Sequence, residues 1–448
     1  MNILKNLLWP EIEELIDLKE WKILKNILSE WDIPNLVELI KEVDDKNKII
    51  IFRILPKNIS NELFSEIDYE DQKVILSKMT DQQIKEILLE LEPDDRTMLF
   101  EELPGKILQK YLNLLPDEER KEALELFGYP EESVGRLMTP NYTAVRPEWT
   151  IKKALEHIKE RGYKSETINV IYITDEKWHF LDALELKKFI LASPELLVKD
   201  IMDYIFVTLS PYDDREKAVS LMRHYNLSAL PVVDSDNILV GIVTFDDVMD
   251  VAKEEATEDF HKTAGILPLE ENYLKIDIRK LFLKRIGWLL SLVFINIFSG
   301  AIISRFENLI MTFVALVFFM PLLNDSAGNA GSQSATLIIR FMATNEMKWK
   351  DGLIILLKDF FVAILLAIAM GISVFLLGMF RGGIRVSIVA SLAMFTIIVI
   401  SSILGTILPL ILKAFRIDPA TASSPLITSL ADIISVTVYF TIAKIILF

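Results

Sequence analysis

The chain has no cysteine and only four histidines, His157, His179, His224 and His261, none of them paired at ligand spacing. That excludes a disulfide framework, thiol catalysis and the usual zinc sites. No P-loop, no H-E-x-x-H and no G-x-S-x-G occurs, so neither ATP hydrolysis nor peptidase chemistry is supported and an enzyme is not expected. A signal peptide is not expected either, because Pro10 and the early acids break the apolar character of MNILKNLLWPEIEELI. What remains is oxygen chemistry, which suits hard cations such as Mg²⁺ or Ca²⁺.

Charge divides the 448 residues sharply. Residues 1–280 carry 36 Lys/Arg and 57 Asp/Glu, a net of -21, whereas residues 281–448 carry 12 and 7, a net of +5. An acidic soluble half repels nucleic acid and anionic headgroups, so no nucleic-acid partner is expected and metal cations are the natural ligand. The length suits about three domains.

Three patterns follow one another along the chain. Residues 1–131 read as short amphipathic helices punctuated by Leu55-Pro56, Leu103-Pro104 and Leu115-Pro116, with Asp81, Asp94 and Asp117 placed to cap helix starts. From 132 to 252, β-rich runs at 168–174, 228–234 and 238–245 alternate with helical stretches such as 214–226. This is an α/β module. SVGRLMTPNYTAVRPEWTIKKALEHI and LLVKDIMDYIFVTLSPYDDREKAVSLM open alike, which makes the module an internal duplication divided at about 196/197. From 281 onward five stretches, about 285–304, 312–339, 354–378, 386–412 and 425–446, reach the ~20 residues needed to cross a bilayer.

Basic residues set the orientation of those spans. Lys280, Lys284, Arg285, Arg340, Lys348, Lys350, Lys358, Lys413 and Arg416 fall on the side of the acidic half, against Arg305, Arg381, Arg385 and Lys444 on the other. The positive-inside rule then predicts a cytosolic N-terminus and a C-terminus outside.

Two spans hold groups that hydrocarbon does not tolerate. The second contains Pro321, Asn324, Asp325, Gly328, Asn329, Gly331, Ser332 and Gln333. Facing lipid, that run would cost several kcal/mol per unsatisfied group, so it must face protein or water. Pro321 removes a helix donor, and free carbonyls with amide oxygens can then line a cation path. The competing reading is a small-residue packing face built on Gly328, Ala330, Gly331, Ser334 and Ala335. The fifth span holds Asp432, about 10 Å into the helix counted from Pro425. An ionisable residue at that depth is a functional-site candidate, and Ser423, Ser424, Thr428 and Ser429 add oxygens nearby. The alternative is a carboxylate satisfied by hydroxyls of a neighbouring helix. One Asp per chain is thin for a divalent ion, and two chains meeting on an axis would supply two to grip a hydrated Mg²⁺.

Between module and membrane, FDDVMDVAKEEATEDFHKTAGI places Asp247, Asp250 and Glu254 along one helical stripe and Glu255, Glu258 and Asp259 along another. With Glu92, Asp94, Asp95, Asp213, Asp214 and Glu216 it forms acidic surfaces that bound ions could join; a merely solvated face is the plain alternative. Gly241, Thr244 and Asp247 stand in a G-x-x-T-x-x-D arrangement that can hold a ribose at a strand-to-helix turn, or simply cap the helix.

These residues together resemble the MgtE family of magnesium channels, over essentially the whole chain. The resemblance rests on PLLNDSAGNAGSQSATLIIR, DPATASSPLITSLAD and GYPEESVGRLMTP. It implies a superhelical all-α N domain (1–131), a tandem cystathionine-β-synthase (CBS) pair (132–252), an acidic plug helix (253–280) and a five-helix pore domain (281–448). It further implies a homodimer with the pore on its axis, Asp432 as the pore-ion carboxylate, and Mg²⁺ bound among N domain, CBS pair and plug to hold the pore shut. Asp94, Asp95, Asp214, Glu216, Asp247, Asp250, Glu255, Glu258, Asp259 and Asp418 match the sensor segments, and Asn324, Asp325, Gly328, Asn329, Gly331, Gln333, Ser424 and Thr428 the pore lining. Two departures stand out: Ala327-Gly328-Asn329 replaces Gly-Gly-Asn with Asp325 added upstream, and Asp182, Glu185 and Lys188 occupy the ribose-motif positions of the first repeat. ATP or another adenine nucleotide would therefore use the second repeat. A coupled secondary transporter and a membrane-anchored nucleotide sensor are the rival readings.

Overall fold

Proline at a helix start lacks only an amide hydrogen that would have had no acceptor there, and its fixed φ suits entry into the helix. The first part of the chain uses this repeatedly: Pro56, Pro104 and Pro116 are the N-cap residues of the helices Lys57–Glu66, Gly105–Leu112 and Asp117–Phe127. The three expected Asp caps move inward by one or two positions. Thr80 caps Asp81–Glu90 through a reciprocal pair with Gln83, and Asp81, Asp94 and Asp117 occupy first turns, where their charge complements the helix dipole.

The computed structural model describes residues 3–269, 273, 276–344, 349–415 and 417–447. Met1, Asn2, Lys348 and Arg416, and residues 270–272, 274 and 275 of the expected plug segment, lie outside the described residues, as do the side chains of Lys350 and Arg381. The chain forms two compact units, Met1–Ala252 and Lys253–Phe448.

In the first unit, ten helices among the described residues run from Ile3–Asp17 to Asp117–Phe127 around a continuous apolar core that includes Leu24, Leu36, Phe64, Leu88 and Phe100. One of them, α1 (Pro93–Glu101), bears Asp94 and Asp95. The α/β part follows. A three-stranded sheet joins β1 (Ala144–Val145), parallel to β2 (Val170–Thr174), which is antiparallel to β3 (Phe180–Glu185). A two-stranded sheet pairs β4 (Ala229–Val233) with β5 (Leu239–Thr244). The three β-rich runs become β2, which starts two residues later and ends at the same Thr174, and β4 and β5, each one residue shorter at both ends. The additional β3 lies in FLDALE, whose alternation of buried and half-buried residues is that of a strand with one covered face.

The helix α2 (Phe245–Thr263) starts directly after β5 and contains the boundary between the units. The acidic helix, expected at 253–280, begins eight residues earlier and ends at Thr263, followed by Gly265 at φ +72, a left-handed position that glycine adopts without strain.

The second unit is helical: α3 (Ile278–Arg305), α4 (Met320–Thr344), α5 (Trp349–Arg381), α6 (Gly383–Ala414) and α7 (Ser424–Leu447). Among the described residues, four of these, α3, α5, α6 and α7, are long and apolar enough to cross a membrane. The span expected at 312–339 is not one segment. A short helix (Glu307–Thr312) and a 3-10 turn (Val314–Phe319) precede α4, whose 25 residues carry the polar run. Pro321 is the second residue of α4, and α4 continues unbroken from it. The expectation that Pro321 frees carbonyls in mid-span is therefore corrected: it starts the helix, and side chains rather than backbone must do any ligating.

Candidate ion sites

The membrane unit packs by small residues where helices cross. A Cβ on Gly328 would stand 2.8 Å from Thr428 Cγ2, one on Gly331 would stand 2.9 Å from Ile427 Cγ2, and one on Gly405 would run into the Gly331 carbonyl. These contacts draw α4 against α7 and α6, the close approach that small residues permit without a hydrophobic driving force. The packing reading thus holds for the glycines. Hydroxyls and an amide fasten the α4/α7 seam: Ser424 Oγ donates to Ser332 Oγ at 3.0 Å and Ser435 Oγ donates to Asn324 Oδ1 at 2.8 Å.

A different face of α4 stays open. Asp325, Asn329 and Gln333 are exposed at steps of four, while Leu323, Ala327, Ala330, Gly331 and Ser334 are buried. Asn329 Nδ2 donates to Asp325 Oδ2 at 3.2 Å. Asp432 on α7 is half-buried, and the charge of Asp325 acts on it. The glycines and the polar side chains of α4 therefore lie on two different faces, the glycines on the packed one. Asn324, also expected in the lining, accepts a hydrogen bond from Ser435 Oγ on α7.

One intramembrane carboxylate escapes the sequence reading. Asp359 on α5 accepts from Ser334 Oγ on α4 at 3.3 Å and from Thr406 Oγ1 on α6 at 2.5 Å, so it staples three helices. Its place five residues inside the apolar stretch 354–378, next to Lys358, gives it the look of a rim charge. The depth rule that selects Asp432 would have selected it too.

Within the first unit, carboxylates crowd around α1 and the first turns of α2. Asp94 is 3% exposed, and its Oδ1 has no hydrogen-bond partner. Burial, then the charges of Asp247, Asp95 and Glu166, raise its pKa well above the usual carboxylate range. Burial and the Asp247 and Glu92 charges push Asp95 up to about 7. Asp247 rises to about 6 through burial, opposed by hydrogen bonds from Thr244 and assisted by Asp246 and Asp250. Glu66 is raised by burial and by Asp250 and Asp246. Glu166 is inconspicuous in the sequence because it lies in a loop of the α/β part. Its backbone amide donates to Asn141 O at 2.8 Å while Asn141 Nδ2 donates to Glu92 Oε2 at 3.0 Å, which carries it to the cluster. Burial and Glu92 push its pKa up to about 8, and its Oε2 too has no partner. Buried acceptors without donors are costly, and a cation would supply what they lack. Among the described residues no three carboxylates or imidazoles converge closely enough to hold a metal ion directly, so an ion here would be held through its own water.

The other expected sensor and nucleotide positions are placed as follows. Asp214 is the N-cap of the helix Arg215–Tyr225 and accepts from the Glu216 amide at 2.9 Å. Thr244 is buried and donates its hydroxyl to Asp247, so the two side chains of the expected ribose arrangement meet at the turn between β5 and α2. In the second unit Asp250's neighbours on α2 give way to Glu255, Glu258 and Asp259, all half-buried. Lys262 Nζ stands 2.5 Å from Glu258 Oε1 and 2.8 Å from Asp418 Oδ2, so a cation tethered to the chain already occupies that pair. Burial would lower the Lys262 pKa, but its hydrogen bonds to Asp418 and Glu258 outweigh it and raise the value. Burial and the Asp418 charge raise Asp259, opposed by Lys262 and Arg340.

An acidic two-part soluble region followed by apolar helices with a polar, carboxylate-bearing seam defines a membrane transport protein for cations. Models of three families agree: a divalent cation transporter domain matches residues 320–442, the MgtE intracellular N domain residues 31–132, and the CBS domain residues 134–188 and 198–254. The magnesium transporter MgtE of Thermus thermophilus is 34% identical over 441 residues, 97% of this chain and 98% of that one. The magnesium transporter MgtE of Bacillus subtilis is 34% identical over 335 residues, 74% of this chain and 73% of that one. The crystal structure of the cytosolic domain of the Mg²⁺ channel MgtE in complex with ATP superposes with a TM-score of 0.51 at 33% identity, covering 54% of this chain and 98% of that one. The soluble part of a magnesium transporter gives 0.52 at 26% identity, with 56% and 99% covered. The chain belongs to the MgtE family.

Proposed function

We propose that this protein is a Mg²⁺-selective channel of the cell membrane that admits magnesium and is closed by cytosolic Mg²⁺. The observation that carries this reading is the open polar face of α4 beside Asp432, in a unit whose other long helices are apolar. Relatives named magnesium transporters over nearly the same length supply the ion. In this reading α4 joins the four apolar helices as a fifth span, kept from lipid by its neighbours. The N-terminal unit is cytosolic, the C-terminus outside, and the modules divide near residues 131, 196, 252 and 280.

The pathway is completed by a second copy of the chain on a shared axis. Asp432 from each copy holds the ion with waters in place, while Thr428, Ser424, Asn329 and Gln333 hydrogen-bond to those waters; weak multiple contacts let the ion leave again. Regulation belongs to the acidic surfaces. When Mg²⁺ is scarce, Asp94, Asp95, Glu166, Asp247 and Asp250 repel one another; when it is plentiful, ions between them favour the assembled, closed arrangement, with α2 acting as the plug. Asp214 and Glu216 extend the same surface. Glu255, Glu258, Asp259 and Asp418 act at the membrane end, where an ion must displace Lys262. Binding of ATP by the cytosolic region is supported by the ATP complex of the relative's cytosolic domain, and Thr244 and Asp247 of the second CBS repeat are its proposed contacts.

The test is Mg²⁺ flux in liposomes holding the purified full chain, with Mg²⁺ varied separately on the two sides. Passive flux down the Mg²⁺ gradient is expected without a Na⁺ or H⁺ gradient, suppressed by Mg²⁺ on the N-terminal side and reduced at least about tenfold by Asp432→Asn. Flux that requires a second ion gradient would make the protein a coupled transporter. Equal flux in the Asp432→Asn variant would remove Asp432 from the path.

A further inference from the structure

The polar face of α4 carries one carboxylate, Asp325, four residues before Asn329. We propose that Asp325 is a second ion-binding carboxylate of the pathway, level with Asp432, and that it sets how strongly this protein holds a divalent over a monovalent cation. The proposal rests on the pathway reading and specifies its selectivity.

Three observations place Asp325. It is exposed on the same face as Asn329 and Gln333, one and two turns away, rather than on the packed face of Gly328 and Gly331. The contacts between α4 and α7 run in opposite directions along the two helices: Ser332 meets Ser424, Gly328 meets Thr428 and Asn324 meets Ser435. Between the last two pairs, at about 1.5 Å per residue, the level of Asp325 is the level of Asp432. Finally, among the described residues neither carboxylate has an ion-pair partner: Lys and Arg bridges are found elsewhere, and the hydrogen bond recorded for Asp325 is the amide of Asn329 at 3.2 Å.

Two uncompensated carboxylates at one level of a membrane unit are costly without a counter-ion. Coulomb attraction scales with the product of charges, so a second carboxylate adds twice as much to the binding of Mg²⁺ as to that of Na⁺ at equal distance. It acts through the ion's hydration water, which Mg²⁺ gives up reluctantly, and needs no dry cage. A rival account gives Asp325 only the task of holding the Asn329 amide one turn away. Asparagine at 325 keeps an acceptor for that amide and removes the charge, which separates the two.

The experiment compares the parent, Asp325→Asn, Asp325→Ser, Asp325→Glu and Asp432→Asn as full chains in liposomes, following Mg²⁺ flux against Mg²⁺ concentration and block of Na⁺ flux by Mg²⁺. Asp325→Asn and Asp325→Ser are each expected to raise the half-saturating and the blocking Mg²⁺ concentrations about tenfold, the size of one lost charge-assisted contact. Asp325→Glu is expected to restore both concentrations to within about threefold. Unchanged concentrations in both neutral variants, with Asp432→Asn still inactive, overturn the proposal and leave the pathway standing. Equal flux in parent and Asp432→Asn overturns the pathway and the proposal together.

Discussion

The two units arrange their side-chain oxygens in opposite ways. Around α1 and the start of α2, carboxylates are packed closely enough that burial and mutual repulsion raise the pKa of Glu66, Asp94, Asp95, Glu166 and Asp247. Along α4 and α7 the oxygens are mostly neutral, from Ser332, Ser424 and Thr428 in the seam and Asn329 on the open face, with the carboxyls of Asp325 and Asp432 the exceptions. A place that must retain an ion and report its concentration profits from stored repulsion that only the ion relieves. A place that must pass an ion on cannot hold it so firmly. The same contrast appears in packing. The acidic cluster is built on a loop and first turns, whereas the seam is fastened by glycines that leave no room for a methyl group.

The largest effect is expected where that packing is tightest. Gly405→Leu would place a branched side chain against the Gly331 carbonyl, where even a Cβ does not fit. Overpacking of this kind costs several kcal/mol, about 1–3 for modest insertions and more at backbone contacts. The second unit is expected to lose its folded form in detergent, read as loss of the monodisperse chromatographic peak, while the acidic unit, which the substitution does not touch, keeps its fold. A monodisperse Gly405→Leu protein with normal flux would show that the seam is looser than its geometry implies, and would break the contrast with the acidic cluster.

A smaller effect, confined to the first unit, follows from its titrations. A carboxyl whose folded pKa is raised binds its proton more tightly folded than unfolded, so its favourable contribution is complete below the unfolded value near 4 and disappears as pH climbs through the folded value. With Asp247 at about 6, Asp95 at about 7 and Glu166 at about 8, the window is pH 4 to 8. The groups facing one another are Glu66, Glu92, Asp94, Asp95 and Glu166 with Asp246, Asp247 and Asp250 on α2. In chelator, the melting temperature of the full chain is expected to fall as pH rises from 5 to 8. Millimolar Mg²⁺ is expected to abolish most of that fall, and the combined Asp94→Asn, Glu166→Gln variant to flatten it without Mg²⁺. A parent whose melting temperature rises with pH in chelator would mean that repulsion is not stored there.

How much of this the sequence makes legible depends on whether a feature is local. Helix starts at Pro56, Pro104 and Pro116, the strands β2, β4 and β5, the polar run in α4 and the depth of Asp432 all follow from spacing along the chain. Features that depend on distant neighbours do not. Glu166 reaches the acidic cluster through Asn141 and Glu92, Asp359 is satisfied by Ser334 and Thr406, and neither pairing leaves a mark in local sequence. Pro321 misleads for a related reason: a proline inside an apolar run looks like a break in a span, and only the 3-10 turn before it shows that the helix begins there.

The smallest effect lies where the two modes meet. Glu258 and Asp418 resemble the acidic cluster in chemistry, yet Lys262 already spans them at 2.5 and 2.8 Å. A tethered ammonium offsets one of the pair's two charges at every Mg²⁺ concentration, so this contact should report the ion weakly compared with Asp94 and Asp247, which have no such cation among the described residues. Replacing it by Lys262→Met keeps the aliphatic stem and removes the charge. The pair should then need a dissolved ion, and closure should depend more steeply on Mg²⁺, with the closing concentration shifted about twofold to threefold. Exposed or half-exposed ion pairs have effects of this modest order. Flux measured against Mg²⁺ on the N-terminal side decides it. A Lys262→Met variant that closes on the parent's curve would place the whole of sensing in the first unit, and the distinction between retaining and passing an ion would then coincide with the division of the chain.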